Sequence, residues 1–157
     1  MLSLAYEILS SASIASSRPL NILHLGTGTG FVPVALAVFS RPVDSVSSLD
    51  DSAQVNIAKD NIIRDGKEIF LSRLSLNQVT NLVTAPIPGA PNNLPYDLII
   101  SSKSINHYTS IPRSLKDSLV PRGIIIYPEE ATGFNRRIKV DKIDEYGNLR
   151  TIKIAEL

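Results

Sequence analysis

The chain has 157 residues, of which 43% are hydrophobic and 20% are charged, a composition typical of one globular domain and not of a disordered segment. Its net charge of +1 gives no overall reason to expect a polyanionic partner, and the absence of cysteine excludes disulfides, thiolate metal sites and a cysteine nucleophile. With two histidines, we predict no metal site. Because we find no basic leader and no apolar run of about 18 residues, we predict an intracellular, cytoplasmic protein without a membrane span.

The first predicted element is a helix over residues 3–17. Its apolar face, at helical spacing, is made of Leu4, Ile8, Leu9 and Ala12. Because the residue before a proline avoids the α region, Pro19 ends this helix. A first strand follows over residues 20–25.

A glycine-rich turn comes directly after the first strand and organises the chain. Its three glycines stand at alternate positions, Gly26, Gly28 and Gly30. Glycine tolerates positive φ and lets a ligand approach the backbone, and the start of the next helix offers free N–H groups. That helix covers residues 31–39, and its apolar composition predicts that it is buried. We therefore predict a ligand-binding turn between a strand and a buried helix, with a plain tight turn as the alternative.

Strands and helices continue to alternate after the turn. The predicted elements are a second strand over 43–49, a helix over 53–64, a third strand within 68–76, a fourth strand over 96–101, a helix over 111–119 and a fifth strand over 124–127. Asp51 or Ser52 is expected to cap the first of these helices, and Gly66 to end it. Residues 77–95 are rich in proline and predict a long loop, a type that is often functional.

The C-terminal residues 134–157 alternate between apolar and polar side chains on both sides of a turn, which predicts a β-hairpin. Together with the alternating strands and helices, this predicts an α/β, Rossmann-like fold: a mostly parallel sheet with helices on both faces and an antiparallel C-terminal hairpin. We expect a single domain over 1–157, made of an N-terminal helix (1–19), a core (20–128) and the hairpin.

The pattern Gly26-x-Gly28-x-Gly30 resembles motif I of the class I S-adenosylmethionine (SAM) methyltransferases. Phe31 stands where the dinucleotide fingerprint needs its third glycine, so an NAD-linked oxidoreductase is a weak alternative. From about residue 20 onward the chain is similar to the protein-L-isoaspartate O-methyltransferase family. The fragments that carry this resemblance are Tyr96-Asp-Leu-Ile-Ile, Ile111-Pro-x-x-Leu-x-x-x-Leu119, Pro121-x-Gly-Ile-Ile-Ile-x-Pro128 and Asp144-Glu-x-Gly-Asn148.

The resemblance implies SAM as the cofactor and S-adenosyl-L-homocysteine (SAH) as its product. It implies cofactor contacts from His24, Gly26, Thr27, Gly28, Gly30, Asp50, Asp51, Ser75 and Ser101. The glycines should lie beside the methionine portion, and Asp50, which follows the second strand, should hold the ribose hydroxyls. Helix capping is the alternative for Asp50. Asp97, at the start of the fourth strand, is expected to be structural.

Three departures from the family leave details open. The family carries a Ser-Gln-Pro-type segment at its substrate site before motif I, and we find none here. His24 stands where most class I enzymes have an acid that supports the amino group of SAM. A neutral imidazole can accept a hydrogen bond, a protonated one would repel a cationic ligand, and a packed buried histidine is the alternative. The acid after the third strand is also missing, so Ser75 or Asn77 would contact the adenine.

The methyl acceptor is open. The resemblance implies a protein carboxylate, which needs no general base; for a hydroxyl or amine acceptor the candidate catalytic residues are Ser101, Lys103, His107 and Tyr108, with ordinary loop residues as the alternative. Residues 101–104 lack the Asp/Asn-Pro-Pro-aromatic motif of exocyclic-amine DNA methyltransferases. A nucleic-acid or small-molecule methyltransferase and a non-catalytic nucleotide-binding module remain the alternatives. A homo-oligomer or a partner chain could complete the acceptor pocket.

Overall fold

The computed structural model describes residues 1–80, 87, 94–103, 113–129 and 137–156. Within these ranges, seven strands form one sheet in the order β3-β2-β1-β4-β5-β6-β7. The elements in chain order are α1 (Leu2–Ala15), β1 (Asn21–Leu25), α2 (Phe31–Phe39), β2 (Ser45–Asp50), α3 (Ser52–Arg64), a 3-10 helix (Glu68–Ser72), β3 (Leu74–Gln78), β4 (Tyr96–Ser101), α4 (Arg113–Asp117), β5 (Leu119–Glu129), β6 (Arg137–Ile143) and β7 (Leu149–Glu156).

The first five strands run parallel, with β1 between β2 and β4. The last two strands form the antiparallel hairpin, and β6 pairs with β5. The carboxylate of Asp144 shapes the hairpin turn, because it accepts hydrogen bonds from the backbone N–H groups of Tyr146 (2.9 Å) and Asn148 (2.8 Å). The predicted α/β fold, a mostly parallel sheet with an antiparallel C-terminal hairpin, is confirmed.

Both faces of the sheet are covered, which explains why all five residues of β1 are buried. Successive side chains of a strand point to opposite faces. On one face Ile22 packs in a core that includes residues of α1, α2 and α3, among them Leu4, Leu36 and Ile62. On the other face Leu23 packs in a core that includes Leu115 of α4. The helices therefore lie on both faces, as predicted.

Two arginines fix the end of the N-terminal segment, one by hydrogen bonds to its backbone and one by an ion pair with the sheet. The guanidinium of Arg41 donates to the backbone oxygens of Ser16 (2.9 Å) and Arg18 (2.8 Å), at the end of α1. Arg18 in turn pairs with Asp97, whose Oδ2 also accepts the backbone N–H of Asn21 at 2.8 Å. Asp97 thus ties the start of β4 to the start of β1, in agreement with the structural role expected for it.

The helix α2 is less buried than its composition predicts. Phe31 is 69% exposed and Val38 is 54% exposed. Its buried residues are Pro33, Leu36 and Ala37. The prediction of a buried helix was wrong because α2 lies on the outside of the sheet, where one helix face meets the core and the other meets solvent.

Some predicted boundaries also differ. The third strand, predicted within 68–76, lies at Leu74–Gln78, and residues 68–72 form a 3-10 helix before it. The second strand begins at Ser45 because residues 42–43 form a turn. The fifth strand covers Leu119–Glu129, longer than predicted. It includes the predicted turn at 121–123, where Arg122 has a positive φ of 67°.

Two predicted segments fall partly outside the described residues. The helix predicted over 111–119 is described from Arg113 to Asp117, and residues 111–112 lie outside. Of the predicted loop over 77–95, the first two residues belong to β3. Within that loop, residues 81–86 and 88–93 are outside the described ranges.

Candidate functional site

The glycine turn joins β1 to α2 at the edge of the sheet where the parallel strands end. The φ angles of Gly26, Gly28 and Gly30 are 90°, 55° and 92°, all in the left-handed region that favours glycine. The backbone N–H of Gly26 donates to the carbonyl of Leu49 in β2 at 2.9 Å, and that of Gly30 donates to the carbonyl of Thr27 at 3.1 Å. The path of the turn therefore requires glycine at all three positions.

The three glycines have different surroundings. Among the described residues, a Cβ atom placed on Gly28 would meet only the carbonyl oxygen of Gly26, at 3.9 Å, so a ligand can approach this backbone closely. A Cβ on Gly30 would lie 3.2 Å from the carbonyl oxygen of Ala58, so this glycine lets α2 pack against α3. A Cβ on Gly26 would lie 3.2 Å from Cγ of Lys103, whose side chain crosses the turn.

Asp50 ends β2 beside the turn and is 1% exposed. Its Oδ2 accepts the backbone N–H of Gly28 at 3.2 Å, and its Oδ1 accepts the backbone N–H of Asp51 at 3.0 Å. The Nζ of Lys103 donates to the same Oδ1 at 3.0 Å. Burial by itself would raise the pKa of Asp50, but the hydrogen bonds from Lys103, Gly28 and Asp51 outweigh it and lower the pKa below its ordinary value. Asp50 is therefore an anion at neutral pH.

His24 lies beneath the turn in a chain of hydrogen bonds. Its Nδ1 is 2.9 Å from Oγ of Ser48, which is 2.8 Å from Oγ1 of Thr27. Its Nε2 is 2.7 Å from Oγ of Ser102, the residue after β4. Since a hydroxyl can donate or accept, both nitrogens of a neutral imidazole have partners here.

The protonation state of His24 follows from its burial. The residue is fully buried, and burial lowers its pKa to about 4, although the negative charge of Asp50 partly opposes this effect. At neutral pH the imidazole is therefore uncharged. It does not repel a cationic ligand at the turn.

A family model described as protein-L-isoaspartate (D-aspartate) O-methyltransferase matches residues 1–155. The chain belongs to this family. The protein-L-isoaspartate O-methyltransferase 2 of Syntrophobacter fumaroxidans is 28% identical over 133 residues, which cover 85% of this chain and 48% of the relative. The protein-L-isoaspartate O-methyltransferase of Ruegeria sp. is 26% identical over 140 residues, 87% of this chain and 59% of the relative. This chain thus spans about half the length of these relatives.

The family assignment agrees with the fold. A Plasmodium falciparum structure, described as a protein-L-isoaspartate O-methyltransferase in complex with SAH, has a TM-score of 0.69 and 18% identity. The match covers 100% of this chain and 69% of that one. A second structure with the same enzyme name has a TM-score of 0.67 over 96% of this chain and 44% of that one, at 19% identity. These likenesses show a shared methyltransferase fold.

Several residues that the family resemblance assigns to the cofactor site form hydrogen bonds or strand pairs with other residues of the chain. Asp51 caps α3, since its Oδ1 accepts the backbone N–H of Gln54 at 3.0 Å. The Oγ of Ser101 donates to the carbonyl of Lys103 at 2.7 Å and shapes the turn after β4. Ser75 lies inside β3, where it pairs in register with Ser47 of β2, and it stands two residues before Asn77 along the strand.

The structure thus brings Asp50, Gly28 and Lys103 together at the turn, with His24 and Thr27 beneath it. Ser101 lies in register with Leu25, the last residue of β1 before the turn, and its hydroxyl is engaged with the backbone of Lys103. Ser75 lies deeper in the sheet, at the level of Ser47. His107 and Tyr108, two of the candidate catalytic residues, lie outside the described residues.

Sequence reasoning missed the hydrogen bonds of Ser48 and Ser102 to His24. The serines of β2, a strand that is buried from its second residue onward, were the available indication of a buried polar partner, because a buried polar side chain needs one. Nothing in the sequence pointed to Ser102 in the same way, since it follows its strand as an ordinary turn residue. No three His, Cys, Asp or Glu side chains in the described ranges could together hold a metal ion. Among the helices described above, none has the length and apolarity needed to cross a membrane.

Proposed function

We propose that this chain is a SAM-dependent methyltransferase that transfers the methyl group to a protein carboxylate. The observation that carries the proposal lies where β1 and β2 end side by side. There the anionic Asp50 lies 3.2 Å from the backbone N–H of Gly28 in the glycine turn. Ligands of open α/β sheets bind beyond the carboxyl ends of the strands, at this position. Family membership and the printed names of the relatives support the carboxylate acceptor.

The described residues fit the parts of SAM. The methionine portion would lie along Gly26 and Gly28, where a ligand can reach the backbone of Gly28. The ribose hydroxyls would donate to the carboxylate of Asp50. The neutral His24 is compatible with the positive charge of SAM, which the usual acid would instead attract. The adenine would lie beyond the end of β3, near Asn77.

Bound SAM supplies a methyl group already activated on a sulfonium. A carboxylate acceptor is ionised at neutral pH and needs no proton removed, so the chain has to position the two groups and exclude water. The rigid backbone of the turn and the buried Asp50 perform the positioning on the cofactor side. The residues after β4 border the acceptor side, and Ser102 is held there through its hydrogen bond to His24.

Replacement of Asp50 by alanine tests the cofactor site. Two charge-assisted hydrogen bonds from the ribose would be lost, so we expect SAH affinity to fall by about 10- to 100-fold. Isothermal titration calorimetry with SAH measures the change, with NAD as a ligand control. The matched control is Asp60→Ala, which removes an exposed carboxylate from α3 and should leave the affinity unchanged. Unchanged SAH affinity in a folded Asp50→Ala variant would contradict the assignment; Asp50→Asn serves if alanine prevents folding.

Transfer of a radioactive methyl group from SAM to peptides tests the acceptor. We expect an isoaspartyl peptide to be methylated and the peptide with a normal aspartyl residue at the same position to remain unlabelled. Labelling of RNA, DNA or a small molecule in place of the peptide would support the alternative acceptors. Binding of SAH without transfer to any acceptor would instead favour a non-catalytic nucleotide-binding module.

Two further predictions belong with this proposal. We infer a cytoplasmic location from the cysteine-free composition, and cell fractionation measures it. We also keep the homo-oligomer as a prediction, and light scattering of the purified chain measures its mass.

A further inference from the structure

Lys103 covers the place where the ribose of the proposed cofactor would bind. Its stem lies over the glycine turn, with Cγ 3.2 Å and Cε 3.5 Å from the position of a Cβ on Gly26. Its Nζ lies 3.0 Å from Oδ1 of Asp50. The lysine thus crosses from the end of β4 to the end of β2 over the open side of the turn.

This contact completes the hydrogen bonding of one carboxylate oxygen. A carboxylate oxygen has two lone pairs, and Oδ1 of Asp50 accepts both the N–H of Asp51 and the ammonium of Lys103. The other oxygen already accepts the N–H of Gly28. A ribose hydroxyl that donates to Oδ1 must therefore take the position of the ammonium.

The two partners differ in their freedom to move. The side chain of Asp50 is 2% exposed and is held by two backbone N–H groups, whereas the side chain of Lys103 is 54% exposed. The half-exposed lysine can return its ammonium to water, and a ribose hydroxyl that takes its place supplies the hydrogen bond that the buried carboxylate would otherwise lose. Lys103 is therefore the partner that leaves.

We propose that Lys103 is an internal competitor of the cofactor: it occupies the ribose position on Asp50 in the free protein and is displaced when SAM or SAH binds. This inference depends on the proposed function for the identity of the ligand. If the ion pair between Lys103 and Asp50 is formed in about two thirds to nine tenths of the free molecules, the apparent affinity for the cofactor is lowered about three- to tenfold. The lysine thereby sets the cofactor concentration at which the site fills.

The displaced ammonium also distinguishes substrate from product. The backbone of Lys103 is held beside the turn by hydrogen bonds with Oγ of Ser101, so its charge remains near the bound ligand after it leaves Asp50. SAM carries one more positive charge than SAH, at its sulfonium, and therefore meets more repulsion. Lys103 is a specificity-determining residue that lowers the affinity for SAM relative to SAH.

Calorimetric titration of the full chain with SAH and SAM tests the inference on Lys103→Met. We expect SAH to bind about three- to tenfold more tightly than to the unmodified chain, and SAM to gain a further twofold or more. The control is Lys59→Met, which removes the same charge from an exposed position on α3 and should leave both affinities unchanged. Raising salt from about 0.05 M to about 0.5 M should tighten SAH binding to the unmodified chain and not to Lys103→Met, because salt weakens the ion pair.

Two results would overturn the inference alone. Equal SAH affinity in all three proteins would show that the ion pair does not compete. Weaker binding to Lys103→Met would show that the lysine holds the cofactor. If the Lys103→Met variant does not fold, Lys103→Gln and the salt series on the unmodified chain test whether the lysine competes with SAH. An SAH affinity that does not change with salt would refute the competition. Absence of SAH binding to every variant would instead refute the proposed cofactor site, and the inference with it.

Discussion

His24 makes the stability of this protein depend on pH. Burial lowers its pKa to about 4 in the folded chain, against an ordinary value of 6.5. Well above pH 6.5 the imidazole is neutral in both states and contributes no pH dependence. As the pH falls further, the unfolded chain binds a proton that the folded chain does not, so the free energy of unfolding decreases. At about 1.4 kcal/mol per pH unit, the loss reaches about 3 kcal/mol near pH 4.

The assay compares the unmodified chain with His24→Gln, whose amide can hydrogen-bond to a serine but does not titrate. Urea denaturation followed by circular dichroism gives the free energy of unfolding of both proteins between about pH 7 and about pH 4. Carboxylates affect both proteins alike, so the difference between them isolates the histidine. We expect the stability advantage of the unmodified chain to shrink by about 3 kcal/mol over this range.

Proton NMR gives an independent reading, because the chain has two histidines and His107→Gln assigns the remaining signal to His24. A His24 signal that titrates near pH 6.5, or a stability difference that stays constant with pH, would refute the reasoning from burial.

Two further predictions concern the fold. Gly30→Ala combines a left-handed φ of 92° with a Cβ 3.2 Å from a backbone oxygen of α3, so we expect a loss of about 2–3 kcal/mol in urea denaturation. Gly66→Ala, where no described atom lies within 4 Å of the Cβ position and φ is 65°, should lose only about 1 kcal/mol, and equal losses would contradict the packing argument. Tyr127→Phe removes the hydroxyl that donates to the buried Asp141 at 2.8 Å and should lose about 1–3 kcal/mol by the same measurement. The exposed Tyr146→Phe should lose nothing measurable; a similar loss in both would show that the hydrogen bond is unimportant.

The fold could be predicted from the sequence because its determinants are local. The apolar run of β4 gave its bounds, Tyr96–Ser101, as the structure has them. Asp51 or Ser52 was predicted to cap α3 from its place before the helix, and the contact of Asp51 with Gln54 agrees with the first of these. The alternation over the last strands predicted a hairpin, since residues that alternate in polarity match the two faces of a strand. These features depend on neighbours close along the chain.

The site could be predicted only in outline. Gly26, Gly28 and Gly30 and the acid after β2 marked the edge of the sheet where a ligand binds. The sequence could not show that Gly30 serves the packing of α2 on α3, nor that Ser101 bonds to its own turn. Those roles depend on how two elements approach each other in space.

The sequence by itself determined the α/β class, the parallel core, the antiparallel hairpin and the position of the glycine turn, because hydrophobic period, glycine and caps act within a few residues. Tertiary structure alone decided the charge and the partners of the site. His24 is neutral because the sheet buries it between Ser48 and Ser102, and Asp50 is paired because Lys103 reaches it across 53 residues of chain. Burial and contacts between distant residues shift pKa values and occupy ligand positions, and both arise only when the strands lie side by side.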